Sequence, residues 1–212
     1  MNLGVYGAGG LGREILMLAQ QLNQSSRWDD IFFIDDVIEH AEVSGVAVYR
    51  FDQIDYAFTE IIIAIGEPVM RQKLAEKVRS KTRLATLIHP SVFISPGCDV
   101  GVGAIICDRV FISCDVSVGE NTLLQPHCCL GHDTSVGAHS VVSSNVTLAG
   151  HCQVGQRVFI GMNCAVKENT TIGSNAIIGL GSAVFNDIPE ATIALGNPAR
   201  AMRKNEQGKV FK

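Results

Sequence analysis

Residues 106–148 read ICDRVFISCDVSVGENTLLQPHCCLGHDTSVGAHSVVSSNVTL and place Ile, Leu or Val at every sixth position. The period continues in both directions, from Ile88 to Val184, without a break in register. Stepping by six between these two residues gives 17 consecutive aliphatic positions. Such a short, unbroken period predicts a solenoid of very short strands.

The other positions of the six-residue unit agree with this prediction. A small or β-branched residue, such as Cys128 or Thr134, stands two residues before the next aliphatic one, so both point inward and the residue between them points outward. Glycine often follows the aliphatic residue, and we interpret these glycines as tight corners. They stand at positions 101, 119, 131, 137, 155, 161, 173 and 179. Three such strands would complete one coil, so residues on successive coils should be three periods of six apart.

The composition narrows the class of protein. Of the 212 residues, 47% are hydrophobic but only 6% are aromatic, so aliphatic and small side chains must fill the core. A net charge of -4 argues against nucleic acid or an anionic membrane as the main partner. No apolar run is long enough for membrane insertion, and no signal peptide is apparent at the N-terminus. Seven cysteines without paired metal spacing indicate reduced thiols in a cytoplasmic protein that holds no metal.

The segment 1–85 has a different pattern. Apolar runs at 3–6, 31–34, 46–49 and 61–65 alternate with helical patterns from Leu11 to Leu22 and around residues 69–78. This alternation predicts a small parallel α/β domain.

Residues 7–12, GAGGLG, satisfy the GxGxxG pattern between the first strand and the first helix, and Asp35 follows at about the distance expected for the acid of that pattern. This pattern alone predicts NAD binding, but the segment 1–85 is long enough for only half of the usual two-part dinucleotide fold. The loop can still approach a phosphate at the helix N-terminus. A tight turn without a ligand is the alternative.

Residues 88–188 resemble the left-handed parallel β-helix of the hexapeptide-repeat acyltransferases, although a purely structural β-solenoid would show the same period. The two halves together resemble the NeuD/PglD-type bacterial sugar acyltransferases over nearly the whole chain. The motifs that carry this resemblance are GAGGLGRE at 7–14, IDD at 34–36, AIG at 64–66, LIHPSVFISP at 87–96, GHD at 131–133, LAG at 148–150 and GNPAR at 196–200.

The resemblance implies a Rossmann-like α/β half domain at 1–85 that binds a nucleotide-linked sugar. It further implies a left-handed β-helix acetyltransferase domain at 86–190 and a C-terminal tail at 191–212. Acetyl-CoA would be the cosubstrate, bound between coils, and the protein would be a cytoplasmic homotrimer.

The matched catalytic residues are His132, as general base, and Asp133, which would raise its basicity. Gly150 follows His132 by three periods of six, so it should lie one coil away, where its amide would hold the thioester carbonyl. By the same spacing His151 should stack over Asp133, and we hypothesise that it helps to fix the carboxylate.

The substrate positions follow from the same resemblance, and the coenzyme A positions follow from the chemistry of its pantetheine arm and phosphates. Matched substrate positions are Gly9, Gly10, Leu11, Asp35, Asp36 and Gly66. The expected coenzyme A positions are Gly161, Met162, Gly179 and Gly181 along one edge, and Arg200 and Arg203 with Lys204 for the phosphates. The basic residues could instead form a solvated tail. Close relatives often carry histidine where Leu11 and Val141 stand here.

These features predict acetyl transfer to a nucleotide-activated sugar for surface-polysaccharide synthesis, such as lipopolysaccharide O-antigen. The acceptor would be the amine of a 4-amino-4,6-dideoxy sugar, because the acid pair resembles that of the N-acetyltransferases. Two alternatives are O-acetylation of a sugar of the sialic-acid type and a non-catalytic trimeric nucleotide-sugar-binding protein.

Overall fold

A computed structural model describes residues 1–206 and 208–211. The N-terminal part holds a sheet of order β3-β4-β2-β1-β5, parallel except for β3, with two helices. Its elements are β1 (Asn2–Tyr6), α1 (Gly10–Leu22), β2 (Ile31–Ile34), β3 (Glu42–Val43), β4 (Val46–Tyr49), β5 (Thr59–Ile63) and α2 (Pro68–Arg79), with short 3-10 helices at Asn23–Ser25, Phe51–Gln53 and Tyr56–Phe58. The four predicted strands and two predicted helices are present, whereas β3 was not predicted.

Seventeen two-residue strands follow, and each ends on one of the 17 predicted aliphatic residues. They are β6 (Leu87–Ile88), β7 (Phe93–Ile94), β8 (Asp99–Val100), β9 (Ile105–Ile106), β10 (Phe111–Ile112), β11 (Ser117–Val118), β12 (Leu123–Leu124), β13 (Cys129–Leu130), β14 (Ser135–Val136), β15 (Val141–Val142), β16 (Thr147–Leu148), β17 (Gln153–Val154), β18 (Phe159–Ile160), β19 (Ala165–Val166), β20 (Thr171–Ile172), β21 (Ile177–Ile178) and β22 (Ala183–Val184).

Every third strand pairs in parallel, so that each residue lies beside its equivalent one coil further along, as Ile112 does beside Leu130. The strands therefore form three flat faces around one aliphatic core. We call β6, β9, β12, β15, β18 and β21 the first face, β7 to β22 in steps of three the second, and β8 to β20 in steps of three the third. The predicted architecture, a Rossmann-like half domain followed by a left-handed parallel β-helix, is confirmed.

The glycines do not make the corners, which corrects our interpretation. The left-handed backbone conformation falls three residues after the aliphatic one, for example at Asp133 (φ 57°) and His139 (φ 61°). Asn, Asp, His and Gly, which tolerate this conformation better than other residues, dominate that position. The glycines serve close coil-to-coil approach instead: a Cβ at Gly161 would lie 2.6 Å from the backbone N of Leu180.

The N-terminal unit covers the first face. Outward residues Ile105, Leu123 and Val141 are buried in one cluster with Leu16 and Leu18 of α1. Each fully buried aliphatic side chain contributes about 1.5–3 kcal/mol to folding.

One buried arginine joins the two units. The guanidinium of Arg71 in α2 donates to the carbonyls of Ile63 (2.7 Å) and Ile65 (3.0 Å), at the end of β5 and just beyond it. It also donates to the backbone and side-chain oxygens of Asn121 in the β-helix, at 2.7–2.9 Å. The orientation of α2 on the β-helix is thereby fixed.

The C-terminal residues form a hairpin. β23 (Thr192–Leu195) pairs in parallel with β21 and so extends the first face, and β24 (Arg200–Lys204) returns antiparallel to β23. No helix in the described ranges has both the length and the apolar character needed to cross a membrane.

Candidate active site

His132 and Asp133 form a hydrogen-bonded pair on the corner after β13. The Nδ1 atom of His132 lies 2.7 Å from Oδ2 of Asp133, and both side chains are about half exposed. Because a carboxylate only accepts, Nδ1 is the donor of this hydrogen bond, and in the neutral imidazole Nε2 keeps the free lone pair. This is the tautomer that a general base needs.

Gly150 lies against the imidazole, one coil away as its spacing predicts. A Cβ at this position would lie 2.5 Å from Nε2 of His132, so a side chain could not be added without displacing the ring. In the described part of the chain the Gly150 N–H donates no hydrogen bond to a protein acceptor.

His151 reaches the same carboxylate. Its Nε2 lies 3.7 Å from Oδ2 of Asp133, and its ring meets that of His132 edge-on with centroids 5.0 Å apart. The predicted position of His151 beside Asp133 is thus confirmed. The effect of His151 on the Asp133 carboxylate stays a prediction.

A first cavity of about 540 Å³ lies between the N-terminal unit, the first face and residues 210–211. It brings Leu11 and Gly66, both predicted for the substrate, together with Gly161, Met162 and Gly179, which were predicted for coenzyme A. Val141 lines it as well, so both positions where relatives often have histidine are apolar walls of one space. Gly181 is exposed and is not part of its lining.

A second cavity of about 490 Å³ is formed by the glycine loop, and all six predicted substrate positions line it: Gly9, Gly10, Leu11, Asp35, Asp36 and Gly66. Gly9 caps the N-terminus of α1, and neither Gly9 nor Gly10 has an atom near the place of a Cβ. The loop is therefore open to an anionic group at a helix N-terminus. Leu11 and Gly66 border both cavities, so the two cavities are adjacent.

The two acids of the second cavity are already held by protein groups. The Asp35 carboxylate accepts from the backbone N–H groups of Ala8, Val37 and Ile38 at 2.9–3.0 Å, which ties the glycine loop to β2.

Asp36 accepts from the Tyr6 hydroxyl, from Lys77 Nζ (2.7 Å) and from the Phe51 N–H (3.0 Å). Burial acts to raise its pKa, but the hydrogen bonds from Lys77 and Tyr6 outweigh burial and lower the pKa to about 2. Asp36 is consequently ionised at neutral pH, and its carboxylate forms an ion pair with Lys77.

The predicted phosphate contacts do not reach these cavities within one chain. Arg200 and Arg203 are exposed on β24, and Arg203 lies with Lys204 in a separate surface depression.

Sequence reasoning missed the part that the C-terminal residues Val210 and Phe211 play in the first cavity wall. The Glu67 carboxylate accepts from the N–H groups of Val210 (2.9 Å) and Phe211 (3.3 Å). The Phe211 ring packs edge-on against Phe159, with centroids 5.6 Å apart. No local pattern links positions so distant in the chain, so the sequence held no signal for this contact.

Known families match two segments of the chain. Residues 2–78 match the PglD N-terminal domain, and residues 151–186 match the bacterial transferase hexapeptide (six repeats) family. No curated protein sequence matches the chain.

Several solved structures share the whole fold. A mutant perosamine N-acetyltransferase from Caulobacter crescentus, in complex with CoA and GDP-perosamine, is 27% identical with a TM-score of 0.88, over 96% of this chain and 98% of that one. The acetyltransferase domain of PglB from Neisseria gonorrhoeae FA1090, in complex with acetyl coenzyme A, is 26% identical with a TM-score of 0.88, over 95% and 98%. WeeI from Acinetobacter baumannii AYE, at 22% identity and a TM-score of 0.71 over 95% and 100%, shares the fold.

Proposed function

Since this chain belongs to the NeuD/PglD-like sugar acyltransferase family, we propose that it transfers an acetyl group from acetyl-CoA to the amine of a nucleotide-linked 4-amino-4,6-dideoxy sugar. The observation that carries the proposal is the His132–Asp133 pair with Gly150 packed against its imidazole. The solved relatives that bind CoA with GDP-perosamine, or acetyl coenzyme A, support the ligand classes.

In this mechanism His132 Nε2 accepts a proton from the sugar amine as the nitrogen attacks the thioester carbonyl. The C–N bond forms, and the Gly150 N–H donates to the oxyanion. The C–S bond then breaks, and the thiolate of coenzyme A takes the proton from His132. Asp133 stabilises the imidazolium between these two proton transfers.

The outer surfaces of the three faces support a homotrimer. The third face carries polar outward residues, and the N-terminal unit covers the first face. The second face instead exposes Phe93 (54%) and Phe111 (43%), stacked with centroids 5.1 Å apart, and continues with small residues at Ala165 and Ala183. An exposed apolar face of this kind fits a second copy of the same chain.

Packing three second faces around an axis would also complete the site. The His132 corner lies between the second and third faces, and the first cavity lies at the corner between the first and second faces. A three-fold axis facing the second face would place the His132 corner of one copy beside the cavity corner of the next. His132 would then serve the sugar and thioester held by its neighbour.

The direct test is His132→Ala, assayed by thiol release from acetyl-CoA with UDP-, dTDP- and GDP-linked amino sugars. We expect a loss of about 10²–10⁴-fold in kcat; activity within a few-fold of wild type would overturn the assignment. Hydroxyl analogues of the best acceptor distinguish N- from O-acetylation. Absence of thermal stabilisation by acetyl-CoA would favour a non-catalytic protein.

A mixing experiment tests the shared site. Inactive His132→Ala chains are co-refolded with chains whose glycine loop is blocked by Gly10→Trp. Mixed trimers should regain activity, because one intact base then faces one intact nucleotide pocket. Failure to regain activity in verified mixed trimers would contradict a site formed between copies.

We also propose a cytoplasmic location and a role in surface-polysaccharide synthesis. Seven free cysteines among the described residues suit a reducing compartment, where acetyl-CoA is made.

A further inference from the structure

Three metal-ligating side chains meet on the His132 corner. His132, Asp133 and His151 each offer one ligand atom, and these atoms all lie within 4.8 Å of one another. Measured from Oδ2 of Asp133, His132 Nδ1 is 2.7 Å away and His151 Nε2 is 3.7 Å away.

This arrangement suits zinc. Zinc binds imidazole nitrogen and carboxylate oxygen at about 2.0–2.2 Å, so neighbouring ligands in a tetrahedral site stand about 3.3–3.5 Å apart. The two distances to Asp133 lie on either side of that value. Two nitrogens and one oxygen leave the fourth position open, and each side chain is about half exposed, which gives the ion a path from solvent.

The β-helix holds the three ligands in place. Asp133 and His151 occupy the same left-handed corner position in successive coils, with φ of 57° and 58°. Their backbones are tied to the preceding coils, since Asp133 N–H donates to the Cys114 carbonyl (3.1 Å) and His151 N–H to the His132 carbonyl (2.8 Å). The three side chains can therefore bind an ion by rotating, without a movement of the backbone.

We propose that His132, Asp133 and His151 bind Zn²⁺ reversibly and that the bound ion inhibits acetyl transfer; the inhibitory part rests on the proposed function. Zinc would take the lone pair of His132 Nδ1, and the proton formerly there would pass through solvent to Nε2. The imidazole stays neutral and no proton is lost overall. Nε2 then carries a hydrogen and can no longer accept the proton of the amine.

Binding is tested by calorimetric titration of ZnCl₂ into the full chain after EDTA treatment and removal of the chelator. We expect one ion per chain, and at least about a tenfold rise in Kd for His151→Ala. His127→Ala is the matched control, because His127 is an exposed histidine at the same left-handed position of another corner. Cys114→Ser controls for zinc on an exposed thiol. Neither control should change Kd.

The proposal is overturned if zinc does not bind, if His151→Ala binds it as tightly as wild type, or if Cys114→Ser removes the binding. Inhibition is measured separately, with each variant normalised to its own rate without metal. Zinc should inhibit wild type with reversal by EDTA, and His151→Ala should need about tenfold more zinc. If the chain binds zinc but acetylates no sugar, the zinc site is supported and only the proposed function is contradicted. If the enzyme is active and binds zinc without being inhibited, the inhibitory part of the proposal is overturned.

Discussion

Gly150 packs against the His132 imidazole so closely that a Cβ would lie 2.5 Å from Nε2. The two residues face each other because one coil of the β-helix separates them. The relative position of the base and of the amide that would hold the oxyanion is thus fixed by one coil of the β-helix.

This contact predicts the effect of Gly150→Ala. The added methyl group must displace the ring, and a shift of about 1 Å at a catalytic group can cost about 10²-fold in rate. We expect kcat to fall by about that factor, measured by thiol release. The thermal unfolding temperature should stay near that of wild type, because the His132 ring is exposed and can move away. Unchanged kcat would contradict the placement of the base.

Asp133→Asn tests the second half of the pair. Asparagine can still accept the Nδ1 hydrogen bond but cannot stabilise the imidazolium by charge. We expect kcat to fall by about 10–100-fold, because the half-exposed pair is partly screened by solvent. KM for acetyl-CoA should change little. A loss confined to KM would instead indicate a role in binding.

His139 predicts a loss of stability in mild acid. Burial lowers its pKa, and its Nδ1 lies 3.0 Å from Asn121 Nδ2, a donor that also bonds the Arg71 carbonyl. Protonation of His139 Nδ1 would bring two donors, Nδ1 and Asn121 Nδ2, face to face. Glu120 faces Nε2 of His139 at 3.4 Å and acts in the opposite direction, raising the pKa.

The unfolded chain therefore binds a proton at His139 at higher pH than the folded one. The contribution of neutral His139 to stability is complete above about pH 6.5, the ordinary pKa, and is lost as pH falls from there through the lower pKa of the folded state. Denaturant unfolding at pH 7.5 and 5.5 should show a smaller decrease for His139→Gln than for wild type. Equal decreases would refute this role.

Arg71→Met tests the link between the two units. The variant leaves the buried carbonyls of Ile63 and Asn121 without their donor, and each such loss costs about 1–3 kcal/mol. We expect the free energy of unfolding to fall by about 3 kcal/mol or more. Arg79→Met removes an exposed partner of Glu120 and should cost less than about 1 kcal/mol. Similar losses in both variants would argue against a special role for Arg71.

Phe111→Asp tests the proposed trimer contact. Three charges brought together on the apolar second face should dissociate the assembly, seen as a smaller mass by light scattering, and should lower activity. Ser117→Asp is the matched control, since Ser117 points outward from the neighbouring strand on the third face. A variant that stays trimeric would place the interface elsewhere.

The six-residue period by itself determined a solenoid of short strands, because an inward aliphatic residue recurs at the same place in every unit and packs on its equivalent in the next coil. The left-handed form of the β-helix was expected from the family resemblance. The same period placed Gly150 beside His132 and His151 over Asp133, since residues one coil apart are always three periods apart in sequence. The predicted corner position was wrong. Glycine often follows the strand directly, whereas the left-handed residue stands two places later.

Only the tertiary structure decided how the two units meet. It placed Leu11 and Gly66 beside Gly161 and Gly179, engaged Asp36 with Lys77, buried Arg71 against Asn121 and brought Phe211 to Glu67. These contacts join residues far apart in the chain, and they depend on how one surface packs on another. Such packing leaves no periodic or local pattern, so the sequence alone could not reveal it.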